Sequence, residues 1–175
     1  MTGTWPATDL DPVRRLRVMA AVLRAAVYAE DHVDAPFAEV WSMASDLPGE
    51  LPRLVPTIRA FRMSDAPDGG DGTDTAGAPD GAGKRAGAWA YGPLGHRAYF
   101  EVVLRPGWCL MQSRGVVGGM AAVPEGDGTR FAVLGAARHR ALLPVSLLAA
   151  RGFGPYRGRK MIERARRRVE ARRGA

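Results

Sequence analysis

At 175 residues, with 46% hydrophobic and 25% charged side chains, the chain has the length of one domain and enough apolar content for a core with a ligand cavity, which excludes a disordered chain and argues against two domains. The 25 basic and 18 acidic residues give +7, but residues 151–175 hold ten basic and two acidic side chains, so the rest sums to −1 and the basic character belongs to the C-terminus. The lone Cys109 excludes an internal disulfide and a thiolate metal cluster, and no segment reaches the ~18 to 20 uninterrupted apolar residues of a membrane span.

Asp11-Pro12 reads as a helix N-cap with proline at the first helical position, and Val13, Leu16, Met19, Ala20, Leu23 and Val27 recur at helical spacing, predicting a helix over 12–26. The run at 18–29 resembles the apolar part of a signal peptide but is interrupted by Arg24, and with one thiol the expected compartment is a reducing cytoplasm. Over 27–33 the period falls to two, predicting a strand; Asp34-Ala35-Pro36 ends it and opens a helix carrying Phe37, Val40, Trp41 and Ala44. Pro48, Pro52 and Pro56 limit 49–54 to a turn or two of helix.

Strands are then predicted over 57–64, 85–91, 97–105, 108–114, 118–123 and 130–138. Their separators, among them Gly92-Pro93 and Pro106-Gly107, are short and turn-forming, so the strands form antiparallel hairpins. Residues 65–84 contain no large apolar side chain and read as a flexible loop inside the domain. The chain ends in helix over 142–150, a break at Gly152 and Gly154-Pro155, and a long helix over 156–173. On that helix Ile162, Ala165 and Val169 form an apolar stripe widened by Met161, and arginines cover the other faces as a solvated surface. The domain organisation is thus an N-terminal extension over 1–26 and one domain over 27–175.

This order has a simple physical solution in the α+β class: an antiparallel sheet of about seven strands curls around the last helix and encloses a cavity. The stretch Val33-Asp34-Ala35-Pro36-Phe37-Ala38-Glu39-Val40-Trp41, followed by Asp46 and then Pro52 or Pro56, resembles the opening of the START/Bet v1-like (SRPBCC) superfamily, which includes polyketide cyclases and aromatases. The resemblance extends over about 27–173. It implies a helix-grip fold with a hydrophobic cavity for a lipid, sterol, polyketide or other small apolar molecule, which some members only bind and others cyclise or dehydrate. No cofactor is expected. The N-terminal helix departs from the pattern and leaves two uses open, covering a cavity mouth or making a homodimer contact.

Strand alternation sorts the candidate site residues. In 97–105 the charged Arg97, Glu101 and Arg105 share one face and Ala98, Phe100, Val102 and Leu104 the other, which places Phe100 against a ligand and His96 on the inner side, as a general acid or base or as a solvated turn histidine. Trp89 and Tyr91 share a face, suited to an aromatic ligand, with Tyr91 as a proton donor, or else simply to filling the core. Over 108–114 the alternation groups Trp108, Leu110, Gln112 and Arg114. If that face is internal, Trp108 and Gln112 meet the ligand and Arg114 binds a carboxylate or stabilises an enolate; if it is external, Cys109, Met111 and Ser113 line the cavity instead. Phe131, Val133, Gly135 and Ala137 face inward if Arg130 and Arg138 face out, which carries His139 inward for ligand contact or a hydrogen bond. Met161 adds an apolar contact from the helix, and Asp31, on the side of Val33, would be buried.

Other motifs do not carry their usual chemistry. The carboxylates of 68–74 fall at every third residue and lack the closing Glu of a calcium loop. Residues 77–84 are one too long for a phosphate loop, with Arg85 where Ser or Thr is required. His32, His96 and His139 lack the pairing of a helical zinc site, so no metal is expected, and the arginine run 164–173 has no interleaved aromatic, against a nucleic-acid partner. The leading expectation is a cyclase-like protein for a polyketide-like intermediate of secondary metabolism, with an acid or base drawn from His96, Tyr91 or Arg114. The alternative is a non-catalytic carrier or resistance protein.

Overall fold

The computed structural model describes residues 10–64, 84–92, 95–138 and 143–174. Helix α1 (Pro12–Val22) begins as expected: Asp11 caps it by accepting the Arg14 amide at 2.9 Å. It stops four residues short of 26, because Ala25 takes φ +54 and turns the chain into β1 (Val27–Val33). The Ala35-Pro36 corner is held by the buried Thr129 hydroxyl, which donates to the Ala35 carbonyl at 2.7 Å, and α2 (Phe37–Ser45) starts from it. Helix α3 (Leu47–Leu54) is longer than the prolines suggest. Pro48 sits in the first turn, where no amide is needed, Asp46 accepts from Gly49 N at 3.1 Å, and burial of Leu47, Leu51 and Leu54 offsets the bond lost at Pro52.

Then come β2 (Ala60–Ser64), β3 (Lys84–Tyr91), β4 (Arg97–Arg105), β5 (Trp108–Gln112), β6 (Val116–Glu125) and β7 (Gly128–Ala137). They form one seven-stranded antiparallel sheet in the order β1-β7-β6-β5-β4-β3-β2, an α+β helix-grip arrangement. The loop expected over 65–84 lies outside the described residues apart from Lys84, which already belongs to β3.

Helix α4 (Leu143–Arg173) is continuous, so the expected break at Gly152 and Gly154-Pro155 is absent. A proline forgoes one helical hydrogen bond, a loss that 31 residues of helix anchored along their C-terminal half absorb. Gly158, Ile162, Ala165 and Val169 form the buried stripe, and a Cβ on Gly158 would lie 2.6 Å from that of Ala29 on β1, so helix and sheet meet backbone to backbone there. The arginines are only in part the solvated face expected: Arg159 and Arg167 are exposed, but others reach across to carboxylates. Arg166 pairs with Asp31 at 2.8 Å, Arg168 with Glu50 at 2.7 Å, Arg172 with Asp46 and Glu50, and Arg173 with Glu39. Asp31 shares the inner side with Val33 but lies on an edge strand beside Arg166, with 56% of its side chain exposed instead of buried.

The sheet has two packed faces. Its concave face, with α2, α3 and α4, encloses the main core, including Met43, Leu51, Phe61, Val102, Phe131 and Ile162. The convex face of β5, β6, β7 and β1 is covered by α1, whose Val13 and Leu16 pack on Trp108, Ala121, Ala132 and Leu134. The N-terminal helix therefore lies on the back of the sheet and does not cap a cavity mouth. Among the described residues no helix is long and apolar enough to cross a membrane.

Candidate functional site

Helix α2 packs on β6 and β7 at the end of the sheet that holds Ala35-Pro36 and the Pro106-Gly107 and Gly126 turns. At the opposite end lie the start of β2, the end of β3, the start of β4, the end of β5, the start of β6, the end of β7 and the start of β1. There the sheet and α4 stand apart around a cavity of about 810 Å3, within the usual range for a small-molecule site. Its floor is apolar: Phe61, Phe100, Met111, Met120 and Val133 from the sheet, Leu51 and Leu54 from α3, and Met161 from α4. The space exists because inner positions on the strands are small. Ala90 and Ala98 stand opposite one another on β3 and β4, Gly118 pairs with Gly135 across β6 and β7, and a Cβ on Gly135 would touch nothing within 4 Å.

Of the candidate site residues, Tyr91, His96, Phe100 and Met161 line this cavity. His96 is exposed just before β4, and its carbonyl accepts the Gly92 amide at 2.7 Å, which closes the turn at the cavity rim. Phe100 packs on Phe61 with ring centroids 6.2 Å apart. Phe131 faces inward but is completely buried beside α2 and is not part of the cavity wall. His139 lies outside the described residues.

The other candidates point away, as does the Tyr91 ring. Trp89 is on the convex face, its ring 5.3 Å edge-on to Tyr99 with the Arg97 guanidinium 5.1 Å from its centroid. Tyr91 reaches the rim of the cavity from the end of β3, but its ring lies under Arg62, 5.6 Å away, on the convex side. Alternation then requires the partners of Trp89 and Tyr91 on β3, the alanines 86, 88 and 90, to face the cavity side. In β5 the external reading holds. Trp108 is buried under α1 with the Arg15 guanidinium 5.8 Å from its ring, Gln112 accepts from Arg138 Nη1 at 3.3 Å, and Arg114 is exposed in the β5–β6 turn. Cys109 and Met111 face inward as that reading requires, and burial pushes the Cys109 thiol up to about 12, so it is no nucleophile at neutral pH. Of the three groups expected to share the chemistry, His96 and Tyr91 both reach the cavity rim and Arg114 does not line it.

What sequence reasoning missed, beyond Met161, is the contribution of the cations of α4 and of the segment after α3. Arg157, Lys160 and Arg164 line the cavity beside Met161, and Thr57 and Ile58 complete the rim. Their signal was in the sequence as a four-three step, 157, 161, 164, on one flank of the apolar stripe. Among the described residues no three His, Cys, Asp or Glu side chains gather as a metal site would need.

No protein-family model and no curated protein matches the sequence. Solved structures do match in fold. TTHA0849 from Thermus thermophilus superposes with a TM-score of 0.54 at 18% identity over 83% of this chain and 97% of that one. KanY (ms6282) gives 0.54 at 12% identity over 83% and 97%. StfQ, a di-domain ARO/CYC from the steffimycin biosynthetic pathway, gives 0.56 at 14% identity over 91% of this chain and 55% of that one. At these identities the likeness defines the fold, one that the ARO/CYC protein StfQ also uses.

Proposed function

We propose that the protein binds an apolar small molecule of polyketide-like size in the cavity between α4 and the open end of the sheet. The observation that carries this reading is the space itself: about 810 Å3 with an apolar floor, kept empty by alanine and glycine at inner positions where bulkier residues would have filled a core. The resemblance of the Val33–Trp41 stretch to the SRPBCC superfamily supports it. Native mass spectrometry of protein purified from its own host, with solvent extraction, is the test. A stoichiometric apolar metabolite supports the reading, and failure to retain or take up any apolar compound sinks it.

A second reading adds cyclisation or dehydration of the bound molecule. It is favoured by His96, which lines the cavity and whose imidazole suits exchanging a proton with a ligand. Holding a reactive chain folded lowers such a barrier even with a sparse catalytic set. If His96→Ala keeps ligand affinity and loses most of the conversion, catalysis is supported; if conversion by the variant matches the wild type, the protein is a carrier or sequestering protein.

A further inference from the structure

We infer that the cavity's occupant is an amphipathic acid, its apolar body on the floor and its carboxylate at a basic rim made by Arg157, Lys160 and Arg164. This rests on the cavity-binding reading and adds the chemical class of the ligand.

The argument comes from an imbalance along one flank of α4. Arg157, Met161, Arg164 and Arg168 follow one another at four- and three-residue steps. At the closed end of that row Arg168 has a full partner in Glu50. One turn toward the cavity, Arg164 donates to the Leu54 carbonyl at 3.1 Å and meets no carboxylate among the described residues. Beside it, Lys160 stands 5.1 Å from the Tyr156 ring centroid, and Arg157 forms no ion pair among the described residues. Among the described residues none of the three cations at the cavity meets a carboxylate, whereas Arg166, Arg168, Arg172 and Arg173 away from it do and the exposed Arg159 and Arg167 do not.

The rim also contains no described Asp or Glu, and Glu163, one turn from Lys160 on its side away from Arg157 and Arg164, does not line the cavity and forms no ion pair among the described residues. The cations are continuous with the His96 turn: Arg164 is bonded to Leu54, Thr57 follows three residues on, and a Cβ on Gly92 would stand 3.6 Å from both the Thr57 and the His96 carbonyl oxygens. An apolar floor ending in an arc of cations matches a molecule with one anionic end, and guanidinium groups hold a carboxylate through paired N–H donors. A neutral sterol or hydrocarbon would leave these charges unused.

The test compares acids with their neutral amides: anthracene-2-carboxylate against anthracene-2-carboxamide, and decanoate against decanamide, by titration calorimetry at low and moderate salt. The expected result is that at least one acid binds tenfold or more tighter than its amide, and that Arg157→Met with Arg164→Met removes this preference while amide affinity persists. Retained amide binding shows that the variant still folds. Equal affinity of acid and amide in both pairs, or a preference that survives the double substitution, overturns the inference and leaves the cavity reading intact. If none of the four compounds binds the wild type, the inference falls together with binding of these apolar bodies.

Discussion

Arg168 grips Glu50 in a fork, Nε to one carboxylate oxygen at 2.7 Å and Nη2 to the other at 2.9 Å, with Glu50 only 1% exposed. Arg172 adds a third donor at 3.1 Å. Here the C-terminal charge finds its main use: the helix in the grip of the sheet is tied to α3 by an ion cluster.

That cluster sets the acid limit of the fold. The Arg168 hydrogen bond, against the cost of desolvation, holds the Glu50 carboxyl below the usual carboxylate range. A lowered folded-state pKa means stability that is present above the unfolded pKa and lost as pH falls through the folded one. Glu50→Gln should therefore cost about 2–3 kcal/mol near neutrality, at the lower end for a broken buried pair because Arg168 keeps some water contact. Urea titrations across pH should show the gap between the two proteins closing as pH falls below the ordinary carboxylate range. A gap that stays constant would mean the pair contributes nothing that ionisation controls.

Leu16 is completely buried on the convex face, and a Cβ on Gly119 would lie 2.8 Å from its Cδ1. Leu16→Ala should cost about 2–4 kcal/mol, measured by chemical unfolding. Ligand affinity should stay within about threefold, since α1 and the cavity lie on opposite sides of the sheet. A large affinity loss in a folded variant would show that α1 acts on the cavity after all.

Gly158 is where α4 touches β1. Gly158→Ala would drive a methyl group into Ala29, costing about 1–3 kcal/mol by overpacking. The paired change Gly158→Ala with Ala29→Gly should recover most of that loss, as a double-mutant cycle would read. Additive losses would place the strain elsewhere.

Gly135 gives the opposite case. Nothing lies within 4 Å of a Cβ there, and it requires no positive φ. Gly135→Leu should leave stability unchanged or slightly raised, since glycine is a poor strand residue. It should weaken binding of a cavity-filling ligand tenfold or more by occupying its space, read by calorimetry on any ligand the wild type retains.

These two glycines also explain how far the sequence could be read. Where one face of a strand meets an ordinary core and the other meets water, as in β4, the pattern of Arg97, Phe100, Glu101 and Val102 assigned both faces, and with them His96 and Phe100. In β3 the same rule inverts. A cavity is made by small inner side chains, so Ala88 and Ala90 face in while Trp89 lies on the back of the sheet. In β5 both faces are buried, Cys109 and Met111 against the main core and Trp108 under α1, so alternation had no contrast to report. The helix ends were limited differently. Pro52 and Pro155 mark local costs, and tertiary packing of α3 and α4 outweighs them.

The pairing of β1 with β7 has a kinetic consequence. Strands β2 to β7 each join a neighbour in sequence, but Val27 must find Gly135 and Val33 must find Thr129. Closing so long a loop is entropically slow compared with forming hairpins. During synthesis the first strand, with the amphipathic α1 attached to it, has to wait until about three quarters of the chain has emerged before its partner exists. Over that interval the meander can assemble with an unpaired β7 edge, and the docking of β1, α1 and the gripped helix becomes one late, concerted step that a refolding experiment should register as its slowest phase.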